Sequence, residues 1–498
     1  MLKSSILKGT FILTIAGFLT RILGFFYKIF LSSALGAENL GIYQLIFPIY
    51  SLCFTLYAGG IQTAISKLVA AQKNTSTKEQ KDILAKGILL SFSIACFCSI
   101  LLYHTSDFLA VSFIKEQRCA NSLRLLCCVF PFCSITSCIN GFYYGLKKTS
   151  VPAITQLIEQ SSRILFSLFF VYSFAKDNTY FSCEFAVFAI AIGEFSSMIY
   201  NLFSLLVSNN KTPKTIKTPS TKHIYHDIIT FALPLTSTHL IISLLHSLEA
   251  ILIPNMLKLS GMTTKNALSI YGILTGMSMS LLMFPSTITN SLSVLLLPSV
   301  SEAQAANNHN YIKKAIENSV KYCLLIGLYC TTVFLIFGKQ FGTLFFNNTL
   351  SGTYLQNLSL LCPFLYLGTT LSSILNGIGK TALTFCNTLI GLLVRIILFL
   401  FLIPQNGIGG YFIAMLISQL IITILNLYYT YKQITFEINL SDYIIKPTFL
   451  LLTFGFFSQK TYAFFNTITN LNSIILLGGC CLLLLVLYVL PLKLKKII

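Results

Sequence analysis

Two cations interrupt the apolar run at the start of the chain. Arg21 and Lys28 lie seven residues apart in FLTRILGFFYKIF, so a helix would place both on one face, about two turns from each other. A cation inside a bilayer costs roughly 2.5 to 3.5 kcal/mol on insertion scales. Such residues face a polar cavity, pair within the bundle, or extend to the membrane surface, as Lys28 could.

A second polar stripe lies further along the chain. His239, His246 and Glu249 are spaced by seven and three residues, which places them on one helix face. Histidines at such positions either bind a ligand or are satisfied inside the bundle. We expect this stripe to contribute to the same polar cavity.

Four more ionisable residues fall in apolar runs. Glu159 and Arg163 are four residues apart and predict an ion pair within one helix. Glu194 stands alone and would either couple to an ion or accept a hydrogen bond from a neighbour. Arg395 has no acid four residues earlier, where Gly391 stands, and could face the cavity or serve packing.

Composition shows what kind of molecule must position these charges. Of 498 residues, 55% are hydrophobic and only 10% are charged, whereas soluble domains carry about 25% charged residues. This composition predicts a multi-pass membrane protein. The formal net charge of +19 is explained by cytoplasmic loops that face anionic lipid, and no basic arm suggests nucleic-acid binding.

Apolar runs of about 20 residues predict an all-α polytopic protein with about fourteen transmembrane helices. Lys and Arg concentrate in alternate loops, which predicts that both termini are cytoplasmic. The predicted helix centres are Arg21, Leu52, Ala95, Ser134, Ser162, Gly193, Leu240, Met283, Tyr329, Gly368, Val394, Gln419, Gly455 and Leu482.

The two halves of the chain repeat each other. Four residue pairs share one offset (304 − 72 = 232): Gln72 with Gln304, Pro131 with Pro363, Lys148 with Lys380, and Arg163 with Arg395. This predicts two pseudo-symmetric six-helix lobes, residues 1–207 and 224–432, joined by a cytoplasmic linker at 208–223 and followed by a helix pair at 433–498.

The same repeat suggests a partner for Arg21. Tyr43 and Tyr271 are related by an offset of 228, and Glu249 then falls opposite Arg21 (249 − 228 = 21). We therefore predict an ion pair between Arg21 and Glu249 that acts as a gate.

The N-terminal KGTFILTIAGFLTRILGFFYKIFLSSALGAENLGIYQLIFPIYSL and the later NGFYYGLKKTSVPAI resemble one family. It is the stage V sporulation protein B and MurJ-type branch of the MOP flippase superfamily of polysaccharide exporters. The resemblance implies a flippase that moves an undecaprenyl-diphosphate-linked cell-wall precursor, lipid II-like or another lipid-linked oligosaccharide. It would move this precursor from the inner to the outer leaflet of a bacterial plasma membrane by alternating access. The MurJ-type first-span pattern matches Thr20 to Phe25, whereas the family's basic residues after the proline of span two have no counterpart after Pro48.

Such a substrate suits the cations of the first helix. The guanidinium of Arg21 could hold phosphate oxygens bidentately, while Lys28 supplies a point charge. We expect a lipid-linked oligosaccharide and membrane lipids as partners, with the protein acting as a monomer.

Several motifs are absent from the sequence, and their absence narrows the possible functions. The fifteen cysteines follow neither zinc-ligand nor disulfide spacing, and no phosphate-binding GxxxxGK[ST] occurs, so we expect no metal, no cofactor and no ATP hydrolysis by that route. A membrane-embedded enzyme, such as a polyprenyl glycosyltransferase, would need clustered carboxylates at a membrane face, and the sequence has no convincing pair, so we expect no enzymatic activity. A multidrug or cation antiporter of the MATE type is the alternative function. The cargo, whether lipid II, a capsule precursor or a spore-cortex precursor, and the energy source stay open.

Overall fold

The structure is a computed structural model, and it describes residues 2–71, 77–174, 182–209, 224–468 and 472–494. Within these ranges the regular structure is helical, and contacts divide the chain into two compact units. Unit 1 comprises Met1–Asn255 and Thr264–Gly272, and unit 2 comprises Met256–Thr263 and Ile273–Ile498. The predicted linker lies, from residue 210 onward, outside the described residues.

Helices α1 to α9 supply nearly all of unit 1. They are α1 Leu2–Phe54, α2 Gly60–Ala71, α3 Thr77–Phe108, α4 Cys119–Leu126, α5 Val129–Gly145, α6 Ser150–Phe174, α7 Cys183–Asn209, α8 Ile224–Leu259 and α9 Thr264–Gly272. Helix α1 is kinked at Gly36, whose φ of 71° lies in the left-handed region that glycine adopts without a steric penalty.

Helices α10 to α18 build unit 2. They are α10 Met279–Met283, α11 Ser286–Ala305, α12 His309–Phe346, α13 Thr349–Leu358, α14 Cys362–Gly377, α15 Thr381–Asn406, α16 Ile408–Gln433, α17 Lys446–Ile468 and α18 Ser473–Leu494. The last two helices pack against α12, where the Tyr329 hydroxyl donates to the carbonyl of Cys481 at 2.8 Å.

The helical class agrees with the sequence prediction. Ten of the described helical stretches are long and apolar enough to cross a membrane, or eleven if the bent pair α4 and α5 counts as one span. Each of the fourteen predicted centres lies inside a described helix. The kinked α1 and α2 form one continuous stretch, Phe11–Ala71, of 61 residues, which is far longer than one crossing needs. Fourteen crossings and cytoplasmic termini stay predictions.

Helix α8 differs from its predicted grouping. The sequence placed it in the second lobe, whereas its contacts group residues up to Asn255 with unit 1. Helix α8 packs closely on α2 of unit 1 at Gly60. A Cβ at Gly60 would lie 2.5 Å from the carbonyl oxygen of Ala232 in α8. The Ser247 hydroxyl of α8 also donates to the carbonyl of Pro48 in α1, at 3.1 Å. The predicted lobe boundaries stay a prediction.

Candidate functional site

The cations of α1 stand without a compensating acid in the described part of the chain. Arg21 is exposed and Lys28 is half-buried, and neither makes a hydrogen bond or ion pair with a described residue. Seven residues of helix separate them by about 10 Å along the axis and by about 20° around it. Both charges therefore remain available on one face of α1.

Glu249 lies near a different partner from the predicted one. Its Oε2 is 3.3 Å from Nδ1 of His246, one turn earlier on α8. The predicted ion pair with Arg21 is not formed in this structure, since Arg21 has no ion pair among the described residues. The repeat register aligned the two positions by sequence, but it does not bring the two side chains together. His239 is exposed on the same helix.

A charged cluster lies where α6 and α7 meet. Arg163 Nη2 donates to Glu159 Oε1 at 2.5 Å, so the predicted pair within one helix is formed. Gly193 of α7 packs directly on this pair, because a Cβ there would lie 2.8 Å from the carbonyl oxygen of Glu159 and 3.6 Å from Arg163 Nε. A larger residue at Gly193 would push α7 away from the charges.

Glu194 follows Gly193 and is the most buried carboxylate of this cluster, at 4% exposure. The hydroxyl of Tyr50, on α1, donates to its Oε1 at 3.3 Å, and the same hydroxyl is 3.6 Å from Sγ of Cys133 on α5. The side chain of Tyr57 is fully buried in the same region, and its hydroxyl lies near Cys133. Glu194 thus accepts the hydrogen bond from a neighbour that the sequence offered as one alternative, and its coupling to an ion stays a prediction.

Arg395 occupies the equivalent position in unit 2, but its surroundings differ. It is 7% exposed, and its Nε donates to the Ser418 hydroxyl on α16 at 2.8 Å. The guanidinium thereby joins α15 to α16. A role for Arg395 in substrate binding stays a prediction.

The structure adds an amide network that the sequence reading missed. Asn201 Oδ1 accepts from the Thr155 hydroxyl at 2.7 Å, and its Nδ2 lies 3.3 Å from Asn140 Oδ1 and 3.5 Å from the carbonyl oxygen of Thr136. One side chain thus links α7 to both α5 and α6. The signal was available as the spacing of Glu194, Ser197 and Asn201 by three and four residues, which defines one polar helix face.

Unit 2 contains the same network. Asn426 Oδ1 accepts from Asn387 Nδ2 at 2.8 Å, and its own Nδ2 donates to the Ser372 hydroxyl at 2.8 Å and lies 3.4 Å from the carbonyl oxygen of Gly368. The partners are related to Thr155, Asn140 and Thr136 by the offset of 232 (387 − 155), while Asn426 and Asn201 differ by 225 (426 − 201). The repeat therefore extends to tertiary contacts. The offset between the two repeats falls by seven residues before the helices that carry the central asparagines, α7 and α16.

Outside the membrane-spanning stretches, Arg118 joins the α3–α4 connection to α1. Its Nε lies 2.6 Å from Glu116 Oε1, and its Nη1 lies 2.8 Å from Glu38 Oε1, two residues beyond the kink at Gly36. The hydrogen bond to Glu116, followed by that to Glu38, raises the pKa of Arg118 above its ordinary value. The guanidinium is therefore charged at every pH at which the protein would be studied.

Known proteins share this fold over most of its length. The solved structure of lipid II flippase MurJ in an inward closed conformation has a TM-score of 0.71 at 17% identity, covering 97% of this chain and 98% of that one. The inward-facing structure of a multidrug resistance MATE family transporter of the MOP superfamily has a TM-score of 0.68 at 16% identity, covering 83% of this chain and 94% of that one.

Curated relatives agree with the structural comparison. Stage V sporulation protein B of Bacillus subtilis (strain 168) is 27% identical over 485 residues, which are 95% of this chain and 92% of that protein. Lipid II flippase MurJ of the same organism is 22% identical over 439 residues, covering 83% and 80%. The MatE family matches residues 241–401, and the Polysaccharide biosynthesis protein family matches residues 6–304.

The apolar helices and these likenesses define a multi-pass cell-membrane protein with the fold of lipid II flippase MurJ and of a MATE family transporter. Since residues 6–304 are more than half of the 498, the chain belongs to the Polysaccharide biosynthesis protein family. Two of these named proteins are described by a transport activity, namely the lipid II flippase and the multidrug resistance transporter.

Proposed function

We propose that this protein moves an undecaprenyl-diphosphate-linked cell-wall precursor from the inner to the outer leaflet by alternating access. The observation that carries the proposal is the pair of cations on one face of α1, Arg21 and Lys28, without a compensating acid among the described residues. Each costs several kcal/mol in a bilayer, so a bound anion would offset a real penalty. A diphosphate diester carries two negative charges, one for each cation.

The two side chains suit the two parts of such a headgroup. The guanidinium of Arg21 presents paired N–H donors that match phosphate oxygens, and the ammonium of Lys28 is a compact charge on a flexible stem. Because both side chains are long, they can converge on one diphosphate although their Cα atoms are about two turns apart. The name of the MurJ relative, lipid II flippase, supports cargo of this class.

A MATE-type multidrug or cation antiporter is the second candidate. The match of residues 241–401 to the MatE family and the likeness to a multidrug resistance transporter favour it. Cationic drugs, however, would be repelled by the cations at Arg21, which is exposed, and at Lys28, which is half-buried. The two candidates therefore predict opposite charge preferences for the cargo.

Reconstitution into vesicles discriminates between them. One vesicle preparation is assayed for transbilayer movement of a fluorescent undecaprenyl-diphosphate-linked saccharide, and a parallel preparation for efflux of a cationic dye. We expect lipid movement without dye efflux, and Lys28→Ala should slow lipid movement while Lys339→Ala, on the exposed side of α12, leaves it unchanged. Dye efflux without lipid movement would establish the antiporter instead.

A further inference from the structure

Helix α8 carries ionisable side chains on one side and apolar side chains on the opposite side. A helix turns by about 100° per residue, so His239, His246 and Glu249 fall within about 80° of one another. We call these three residues the α8 stripe. The side chains of Leu244 and Leu248 point to the opposite side of the helix and are 45% and 43% exposed.

A third side of α8, between the other two, packs on unit 1. The Ser243 hydroxyl oxygen lies 3.1 Å from the Thr55 hydroxyl oxygen, and the Ser247 hydroxyl donates to the carbonyl of Pro48 at 3.1 Å. The α8 stripe lies outside this packed side. Exposed leucines of a membrane helix suit lipid, whereas ionisable side chains lie toward water or a partner. The α8 stripe is therefore placed to meet water or a ligand.

The hydrogen bond within the α8 stripe determines what it can offer a ligand. Nδ1 of His246 lies 3.3 Å from Oε2 of Glu249. Because an ionised carboxylate can only accept, Nδ1 carries the hydrogen, and Nε2 of the neutral ring is then an acceptor. This Nε2 makes no hydrogen bond to a described residue, and the His246 side chain is 54% exposed. A carboxylate offers about four lone-pair sites, so the pair presents further acceptors to a ligand.

This polarity is the reverse of that of the α1 cations. Arg21 and Lys28 can only donate hydrogen bonds, and they suit the acceptor oxygens of a phosphate. A diphosphate diester brings only acceptors and negative charge, so the pair of His246 and Glu249 can neither donate to it nor attract it. Saccharide hydroxyls and amide N–H groups are uncharged donors, and adjacent hydroxyls of one sugar ring can donate to the same carboxylate.

We propose that the α8 stripe binds the saccharide of the lipid-linked cargo, with Glu249 and Nε2 of His246 accepting hydrogen bonds from its hydroxyl or amide groups. The proposal rests on the proposed transport function, which it deepens by assigning the uncharged part of the headgroup to a second helix. His239 lies about 10 Å from His246 along the helix axis, where it is placed to contact a second sugar unit.

A cationic drug is the competing ligand, because an ammonium group is also a hydrogen-bond donor. Glu249 is the only acid in the sequence between residues 228 and 259, and its neighbours in the α8 stripe are two imidazoles. Neutral imidazoles add directional hydrogen bonds but no negative charge. The stripe therefore suits a ligand with several hydroxyl groups better than it suits a cation.

Binding of two matched lipids tests the assignment. Purified protein in detergent is titrated with an undecaprenyl-diphosphate-linked disaccharide and, separately, with undecaprenyl diphosphate, and the Kd of each is measured by microscale thermophoresis. We expect Glu249→Leu to weaken binding of the saccharide-linked lipid by about 10-fold to 100-fold without weakening binding of undecaprenyl diphosphate. His104→Ala, at an exposed histidine of α3, is the matched control and should change neither Kd.

A second variant covers the case in which Glu249→Leu does not fold. Glu249→Gln has the same size as the native side chain and keeps one acceptor oxygen, so it should weaken binding of the saccharide-linked lipid by a smaller factor. A folded Glu249→Leu protein that binds this lipid as tightly as wild type, or that loses affinity for both lipids equally, would overturn the proposal. If only Glu249→Gln folds, the same two results in that variant would overturn it.

Two further measurements separate this proposal from the proposed function. Arg21→Gln should weaken binding of both lipids, because both carry the diphosphate. If the wild-type protein binds neither lipid, the proposed function fails, and saturation-transfer NMR with the lipid-free disaccharide N,N′-diacetylchitobiose then tests the α8 stripe alone. We expect a signal with wild type and His104→Ala that is lost in Glu249→Leu. A missing wild-type signal, or one that Glu249→Leu retains, would overturn the proposal, as would binding of the cationic dye ethidium that Glu249→Leu abolishes while the affinity for the saccharide-linked lipid is kept.

Discussion

The crossing of α1 and α9 in unit 1 is closer than any side chain would allow. A Cβ built at Gly41 would lie 2.1 Å from the carbonyl oxygen of Leu268 and 3.3 Å from the backbone nitrogen of Gly272. A Cβ at Gly272 would in turn lie 2.2 Å from the carbonyl oxygen of Ala37. Because these neighbours are backbone atoms, they cannot rotate away, and Gly41→Ala must move the two helices apart.

The size of the effect follows from two opposing terms. Forcing a methyl group into a packed contact costs about 1 to 3 kcal/mol, while replacing Gly by Ala inside a helix gains up to about 1 kcal/mol. Gly41→Ala should therefore lose about 1 to 2 kcal/mol of unfolding free energy. Gly17→Ala is the matched control on the same helix, because nothing lies within 4 Å of its added Cβ, and it should gain up to about 1 kcal/mol.

Thermal stability in detergent measures the difference. Samples of purified wild-type, Gly41→Ala and Gly17→Ala protein are heated, and the monodisperse fraction is followed by size-exclusion chromatography. We expect the midpoint of Gly41→Ala to lie below that of wild type and the midpoint of Gly17→Ala to lie at or above it. Equal midpoints for the two variants would refute the close crossing of α1 and α9.

Four further substitutions, one of them also combined with a second, test the remaining contacts. Asn201→Ala and Asn426→Ala should each lower the thermal midpoint through a loss of about 1 to 2 kcal/mol, since hydrogen bonds between membrane helices contribute about 0.6 kcal/mol each; an unchanged midpoint would contradict the repeated network. Glu159→Gln should cost roughly 2 to 4 kcal/mol because it leaves the Arg163 cation unpaired, and adding Arg163→Gln should recover part of the loss; an additive double variant would contradict the pairing. Arg118→Ala should cost about 1 kcal/mol in low salt and less in high salt, because its side chain is 49% exposed. Since a raised pKa keeps this base charged up to pH values far above neutral, the Arg118 effect should be constant from about pH 6 to pH 10, and a loss within that range would contradict its assignment.

The sequence predicted the helices and the repeat because both depend on local pattern. Apolar length locates a membrane helix irrespective of its neighbours, and the offset between Arg163 and Arg395 needs only two aligned segments. The pair of Glu159 with Arg163 was predictable for the same reason, since helical geometry alone brings residues four apart together.

The remaining contacts depend on how the helices pack against one another, and neither residue spacing nor hydropathy specifies that packing. The register placed Glu249 opposite Arg21, but the structure joins Glu249 to His246, a neighbour on its own helix. The partners of Asn201 come from two other helices and could not be chosen from spacing. Likewise, hydropathy predicted two spans centred on Arg21 and Leu52, but it did not predict that both lie in one helical stretch that is kinked at Gly36.

The central claim is that Arg21 binds the anionic headgroup of a lipid substrate. It is tested most directly by the initial rate at which reconstituted protein moves a fluorescent undecaprenyl-diphosphate-linked saccharide across the bilayer, compared among wild type, Arg21→Gln and Arg21→Lys. A charge-assisted hydrogen bond contributes about 1.5 to 3 kcal/mol, so Arg21→Gln should slow transport by roughly 10-fold to 100-fold, and Arg21→Lys should retain an intermediate rate. Wild-type rates for Arg21→Gln, in vesicles that hold equal amounts of folded protein, would contradict the account.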